Sequence, residues 1–285
     1  MPNAESLNYF GPGRCARALA ASIMKVFVLA FLFIFFTIEL FSQTMSVEQI
    51  ENDLHKSYHK IVAFRNDPKE VDWDSLMIEN KIFREKIGLY TSKYPLTLSY
   101  EFDSLRKDNV DIIDSEDKLL RIYSWDTWLG GTMYDFGNVF QYRSDNKVYS
   151  KIVYDTTSGE GEYIPFYSEI FTLKANNHTY YLAVYNGIYS TRDASQSIRI
   201  FTIENYNLID SVKLIKTKNG PINSIDVSFD FFSVVDRPER PLHLIKYDKE
   251  KKIIYIPIVY ENGKVTDRYL LYKFTGQYFE YIGNQ

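Results

Sequence analysis

Cysteine is almost absent from this chain. The single one, Cys15, lies ahead of a long apolar run rather than after it, where a lipid-carrying cysteine would sit. Once residues 1–43 are set aside no cysteine remains. That excludes a disulfide, a thiolate nucleophile and a cysteine-ligated metal. Basic blocks are also missing. The formal charge is −4, and residues 1–43 hold three basic and two acidic side chains, so the remainder carries −5. A mildly acidic chain without a lysine or arginine cluster does not read as a nucleic-acid binder. No G-x-S-x-G, P-loop or Rossmann glycine pattern is present. Beyond about residue 94 no amphipathic helical period of convincing length is found.

What is there begins with a leader. Val26 to Ile38 is an unbroken apolar run, preceded by Lys25, Arg17 and Arg14. A charged segment followed by a run of this length is the pattern of a signal peptide over residues 1–43. It is short for a membrane span, which takes ~20 residues. Ser42-Gln43-Thr44 offers a cleavage point, although Leu40 departs from the usual small residue at that position. Met24 is an alternative start, which would make residues 1–23 an upstream extension. The competing reading is an uncleaved N-terminal anchor, the one route to a membrane in this sequence. The expected location is periplasmic or secreted.

From Ser46 to about residue 92 the pattern is helical. Ser46-Val-Glu-Gln49 has the form of a capping box. Val47, Ile50, Leu54, Tyr58, Ile61 and Val62 then form one stripe, closed by Asn66-Asp67-Pro68. A second helix is expected from Asp74 or Ser75, with Leu76, Ile82, Phe83 and Ile87 on its apolar side and Gly88 as its C-cap. The domain boundaries are therefore a helical segment at 44–92, packed as a hairpin on a β domain at 93–285.

Aromatics dominate the rest: 24 Tyr and 20 Phe help bring the aromatic fraction to 16%, a composition that favours pleated sheet. Leu96, Leu98, Tyr100 and Phe102 alternate as a half-buried strand would. Turn signals follow at Ser144-Asp-Asn146, Asn176-Asn177, Asn186-Gly187, Asn219-Gly-Pro221, Asn262-Gly263 and Thr275-Gly276. Between them lie three four-strand units, at about 110–154, 169–212 and 242–281, with the Pro-rich 236–241 as a loop. The fold class is mainly β with an N-terminal helical hairpin (α+β). Its expected architecture is a propeller-like series of four-stranded antiparallel sheets, open or incomplete, because a closed propeller needs at least four blades. A bent β-sandwich is the alternative.

One block stands out: Arg121-Ile-Tyr-Ser-Trp-Asp-Thr-Trp-Leu-Gly-Gly-Thr132. Its bland reading is a capped hairpin, with Gly130 and Gly131 taking positive φ and Asp126 accepting from loop amides. Its sharper reading is a ligand site, in which Trp125, Trp128 and Tyr134 form an aromatic platform and Asp126 accepts from a ligand hydroxyl. Trp125-Asp126 resembles the Trp-Asp dipeptide of certain propeller blades, but it occurs once and lacks a Gly-His partner. With Tyr94-Pro95, Tyr100-x-Phe102-x-x-Leu105, Gly130-Gly-Thr-Met133 and Asn138-Val-Phe-Gln-Tyr142, the block resembles a group of uncharacterised exported bacterial β-rich proteins. That resemblance covers about 94–142 and implies export and fold, without chemistry.

Histidine offers little in the sequence. His55 and His59 share a helix face, but Lys56 stands where a zincin has glutamate and no third ligand is spaced to join them. His178 and His243 are isolated. No metal and no cofactor are expected. Asp226 and Asp230, and the acidic stretch Asp108, Asp111, Asp114 and Asp117, read as solvated edges that discourage strand pairing. The function expected is an exported binding or interaction protein, more a binder than an enzyme, with a glycan, a peptide or an envelope protein as partner. The alternatives are a hydrolase of an extracellular polymer using paired carboxylates and a cell-envelope structural or assembly factor.

Overall fold

The structure, a computed structural model, describes residues 45–64, 72–153 and 163–285. The leader, Cys15, Met24 and the helix-ending Asn66-Asp67-Pro68 lie outside the described residues. The chain divides into two compact units, 1–46 and 47–285, and every element named below belongs to the second. Among the described residues no helix is long and apolar enough to cross a membrane.

Helix α1 (Val47–Ala63) buries Ile50, Leu54, Tyr58 and Ile61 along one stripe. Helix α2 (Trp73–Lys93) starts at Asp72, whose carboxylate accepts from the amides of Asp74 (3.1 Å) and Ser75 (3.3 Å) and so satisfies two donors of the first turn. The helices are latched by Asp53, which accepts from the Lys86 ammonium at 2.9 Å and the Tyr90 hydroxyl at 2.7 Å. Gly88 does not end α2. The helix runs on to Lys93, and Gly88 is buried inside it, where an added Cβ would stand 2.5 Å from Ile152 Cδ1. The glycine permits close approach to the sheet.

The alternating stretch after Tyr94 is not a strand. Pro95–Leu98 forms a 3-10 turn, and a short helix α3 (Asp103–Lys107) follows. Proline fixes φ at a helical value and suits the first position of such a turn. Leu96 is exposed while Leu98 and Phe102 are buried. The Glu51 carboxylate of α1 accepts from Ser104 N at 2.7 Å and the Tyr100 hydroxyl at 2.8 Å, pinning the start of α3.

Three sheets follow. Sheet I is the antiparallel meander β1 (Asp111–Asp114), β2 (Leu120–Asp126), β3 (Phe136–Ser144) and β4 (Lys147–Val153). Sheet II holds β5 (Phe166–Ala175), β6 (His178–Ile188) and β7 (Asp193–Glu204). On β7 lie both β8 (Asn207–Ile209) and β11 (Ser224–Asp230). Sheet III runs β10 (Gly220–Ile222), β9 (Ile215–Thr217), β15 (Phe279–Asn284), β14 (Val265–Phe274), β13 (Ile253–Val259) and β12 (Lys246–Asp248). The three units read from the sequence correspond to these sheets, with β9, β10 and β11 as further strands. Asn186-Gly187 is not a turn: both lie within β6, and Asn186 accepts from Gln196 at 2.8 Å.

Period-2 alternation lets one strand serve two cores. Tyr181, Ala183 and Tyr185 of β6 pack with Leu120, Ile122 and Phe140 of sheet I, while Leu182 and Val184 pack with Ile254, Ile256, Phe274 and Phe279 of sheet III. Sheet II is therefore covered on both faces. Sheet I is also covered on both, because α2 packs on β3 and β4.

The seam between the helices and sheet I is polar. Gln141 donates to Thr91 O (2.9 Å) and Thr97 Oγ1 (2.8 Å) and accepts from the Tyr123 hydroxyl (3.0 Å). Arg121, 1% exposed on its side chain, makes a bidentate pair with Asp114 at 2.5 and 3.0 Å and donates to Thr97 O. The pair holds the Asp114 carboxyl below its usual pKa against the opposing effect of burial.

Candidate functional site

The polar seam ends in a cavity of about 490 Å³. Tyr58 and Val62 reach it from α1, and Lys107, Asp108 and Asn109 from the end of α3. Asp111 of β1 and Asp126 at the end of β2 also line it, with Trp128, Tyr134, Phe136, Phe166 and Ile188 completing the wall. Three of the four side chains expected to bind a ligand, Asp126, Trp128 and Tyr134, are thus brought together.

Trp125 is not among them. It is fully buried and points to the helices. Its indole N–H donates to Asn80 Oδ1 at 3.3 Å, and its ring meets Phe83 edge-on at 5.0 Å. Asn80 in turn donates to Leu76 O and Thr127 O. Of the three rings expected to form a platform, Trp128 and Tyr134 line the cavity, while alternation along β2 turns Trp125 into the seam.

The loop that carries Trp128 and Tyr134 is tightly specified. Asp126 Oδ1 accepts from Trp128 N at 2.8 Å, the local turn that aspartate favours. Thr127 Oγ1 donates to Asp135 O at 2.8 Å and accepts from Leu129 N at 3.3 Å. The two glycines have different tasks. Gly131 has φ of 61°, whereas a Cβ at Gly130 would stand 1.9 Å from Met133 O, so Gly130 is required by space rather than by positive φ. Trp128 itself has φ of 59°. Bulky residues rarely adopt that region, and held strain of this kind clusters at binding and catalytic sites. Tyr134 N donates to Ile188 O at 2.9 Å, and its ring stacks on Phe136, which meets Phe166 at 4.9 Å.

The acidic stretch is only in part a solvated edge: Asp111 is exposed, whereas Asp108, Asp114 and Asp117 are half-buried. Asp114 is paired with Arg121. Asp117 accepts from the Ser115 hydroxyl and from Leu119 N. Asp108 and Asp111 line the cavity. Asp111 is exposed at the rim of the cavity, and the protein packed around one side of its carboxyl raises it to about 6 by desolvation, with Arg106 pulling the other way. Burial is also the main cause of the raised Tyr58 phenol, with the charges of Asp126 and Asp108 adding to it. The carboxylates and Tyr58 therefore share one electrostatic environment.

Asp108 also meets the histidines. His55 Nδ1 lies 2.7 Å and His59 Nε2 3.4 Å from Asp108 Oδ2, and the two rings are 4.4 Å apart. The spacing of His55 and His59 showed a shared helix face. Their partner was hidden because the turn after α3 supplies it. Tyr58, Phe136 and Phe166 also carried no local signal, since aromatics are common throughout this sequence. Asp226 and Asp230 have other partners, the Tyr185 hydroxyl at 2.7 Å and Arg192 at 2.7 Å.

No known protein family matches the chain, and no curated protein is significantly similar to it.

Proposed function

We propose that this chain is an exported binding protein, periplasmic or secreted, whose cavity takes a hydroxyl-rich ligand of the glycan class. The observation that carries the reading is the convergence of Trp128, Tyr134 and Asp126 with Asp108 and Asp111 in one cavity. Aromatic rings stack on the apolar faces of sugar rings, and carboxylates accept from their hydroxyls. The strained backbone at Trp128 supports the same reading, as does the leader-like run of Val26–Ile38. The resemblance of the 121–133 block to exported β-rich proteins points the same way. Sheets I, II and III are read as three blades of an open propeller-like arc, supported by their meanders and by the packing of sheet II against both neighbours.

The test is a glycan array, followed by calorimetric titration of the hits. Trp128→Ala and Tyr134→Ala should each lower affinity at least tenfold while Tm holds. A chain that binds no glycan, or binds equally well in both variants, overturns the reading.

One observation favours a second reading, a hydrolase of an extracellular polymer. A carboxyl raised to about 6 in the same cavity as two other carboxylates suits a general acid. Release of reducing ends from a bound glycan, abolished by Asp111→Asn, would separate the hydrolase from the binder.

A further inference from the structure

The geometry points to a divalent transition-metal site formed by His55, His59 and Asp108, with zinc as the ion best suited to it. The ligand atoms, one from each side chain, all lie within 4.8 Å of one another. In a tetrahedral zinc site with bonds of ~2.0–2.2 Å, neighbouring ligand atoms stand roughly 3.3–3.5 Å apart. The 3.4 Å between His59 Nε2 and Asp108 Oδ2 already matches that spacing. The 2.7 Å hydrogen bond from His55 Nδ1 has to open by roughly 0.6 Å to reach it. When a cation enters, His55 presents its Nδ1 lone pair with its N–H carried on Nε2, and the neutral imidazoles and the Asp108 carboxylate face the ion.

The donors are preorganised from two directions. His55 and His59 are four residues apart on α1, which sets both rings on one face. Asp108 is the residue that ends α3, and α3 is itself tied to α1 by Glu51 through Ser104 N. Asp108 is mostly buried, with 17% side-chain exposure, and His55 is half-buried, so the set is reachable without being a loose surface cluster. Two imidazoles and one carboxylate favour zinc and its neighbours over magnesium and calcium, which prefer all-oxygen cages. Three protein ligands leave a coordination position open to water. Because Asp108 also lines the cavity, that position is available to a donor atom of a ligand bound there. The inference does not depend on what that ligand is.

Titration of Zn²⁺ into the full chain, followed by calorimetry, should show one saturable equivalent that Mg²⁺ and Ca²⁺ do not displace. His59→Gln and Asp108→Asn should weaken it at least tenfold, and His243→Gln, remote from the trio, should leave it unchanged. Asp108→Asn also removes a hydrogen bond to α1. His59→Gln, whose ring is the more exposed, therefore decides the matter, with circular dichroism confirming its fold. Co²⁺ in place of Zn²⁺ should give visible bands that His59→Gln shifts or removes. No saturable equivalent, or affinity unchanged in His59→Gln, overturns the site.

Discussion

Two of the three seams between the layers are built differently. Between sheets II and III the contact is mostly apolar, with Leu182, Val184, Ile198 and Ile200 against Ile215, Ile254, Ile256, Phe274 and Phe279, and its buried polar link is Gln196, bonded to Leu242, Leu244 and Ile245 ahead of β12. Between the helices and sheet I it is threaded with hydrogen bonds from Asn80, Gln141, Tyr123 and Arg121. Apolar packing accepts small changes of shape, whereas a satisfied buried network admits one arrangement. The cavity lies at the end of the second kind of seam, one residue beyond Trp125. The comparison teaches that the denser hydrogen-bond network lies beside the cavity, while apolar burial supplies most of the cohesion between sheets II and III.

The largest effect should come from breaking the polar seam. Trp125→Ala removes the ring against Phe83 and leaves Asn80 Oδ1 without its donor, and should cost about 3–5 kcal/mol. Denaturant unfolding measures it, and a loss under about 1 kcal/mol would show that the seam is not cooperative. Ile254→Val in the apolar seam should cost only about 0.5–1.5 kcal/mol and leave the cavity intact. Glycan binding that falls in Ile254→Val would erase the contrast between the seams.

The smallest effect is electrostatic and sharpens the comparison at the cavity end. The folded pKa of Asp111 is raised to about 6 from an ordinary 3.8. Its protonated form is therefore the one that folding favours. The associated stability is complete below about pH 4 and is lost as pH rises through 6. Tm measured from pH 4 to 7 should fall more in the wild type than in Asp111→Asn. Parallel curves would show that Asp111 is not desolvated as described.

Much of the β body was legible because alternation and turn chemistry are local. Asn176-Asn177, with φ of 51° and 62°, turns as its residues suggest. The failures share one cause. Asn186-Gly187 has turn chemistry yet lies inside β6, where its partners across the sheet decide the outcome. Leu96 to Phe102 alternates like a strand, but Pro95 and the Glu51 anchor impose a turn and a helix. Gly88 looked like a helix end because the reason for a small residue there, Ile152, sits on another element. At the site, Asp126, Trp128 and Tyr134 were visible as a cluster in the chain. Trp125 was misassigned because its face depends on which side of sheet I the helices occupy, and Asp108 was unreadable as a histidine partner because tertiary structure alone creates that contact.

The strand order carries a consequence for how the molecule is made. β9 and β10 leave for sheet III before β11 returns to sheet II, and β9 pairs with β15, the last of the described strands. The two layers are laced by a single thread. Neither can be excised as an independent module, and on the ribosome the edge of β9 that does not face β10 has to wait for β15 to emerge before it is paired.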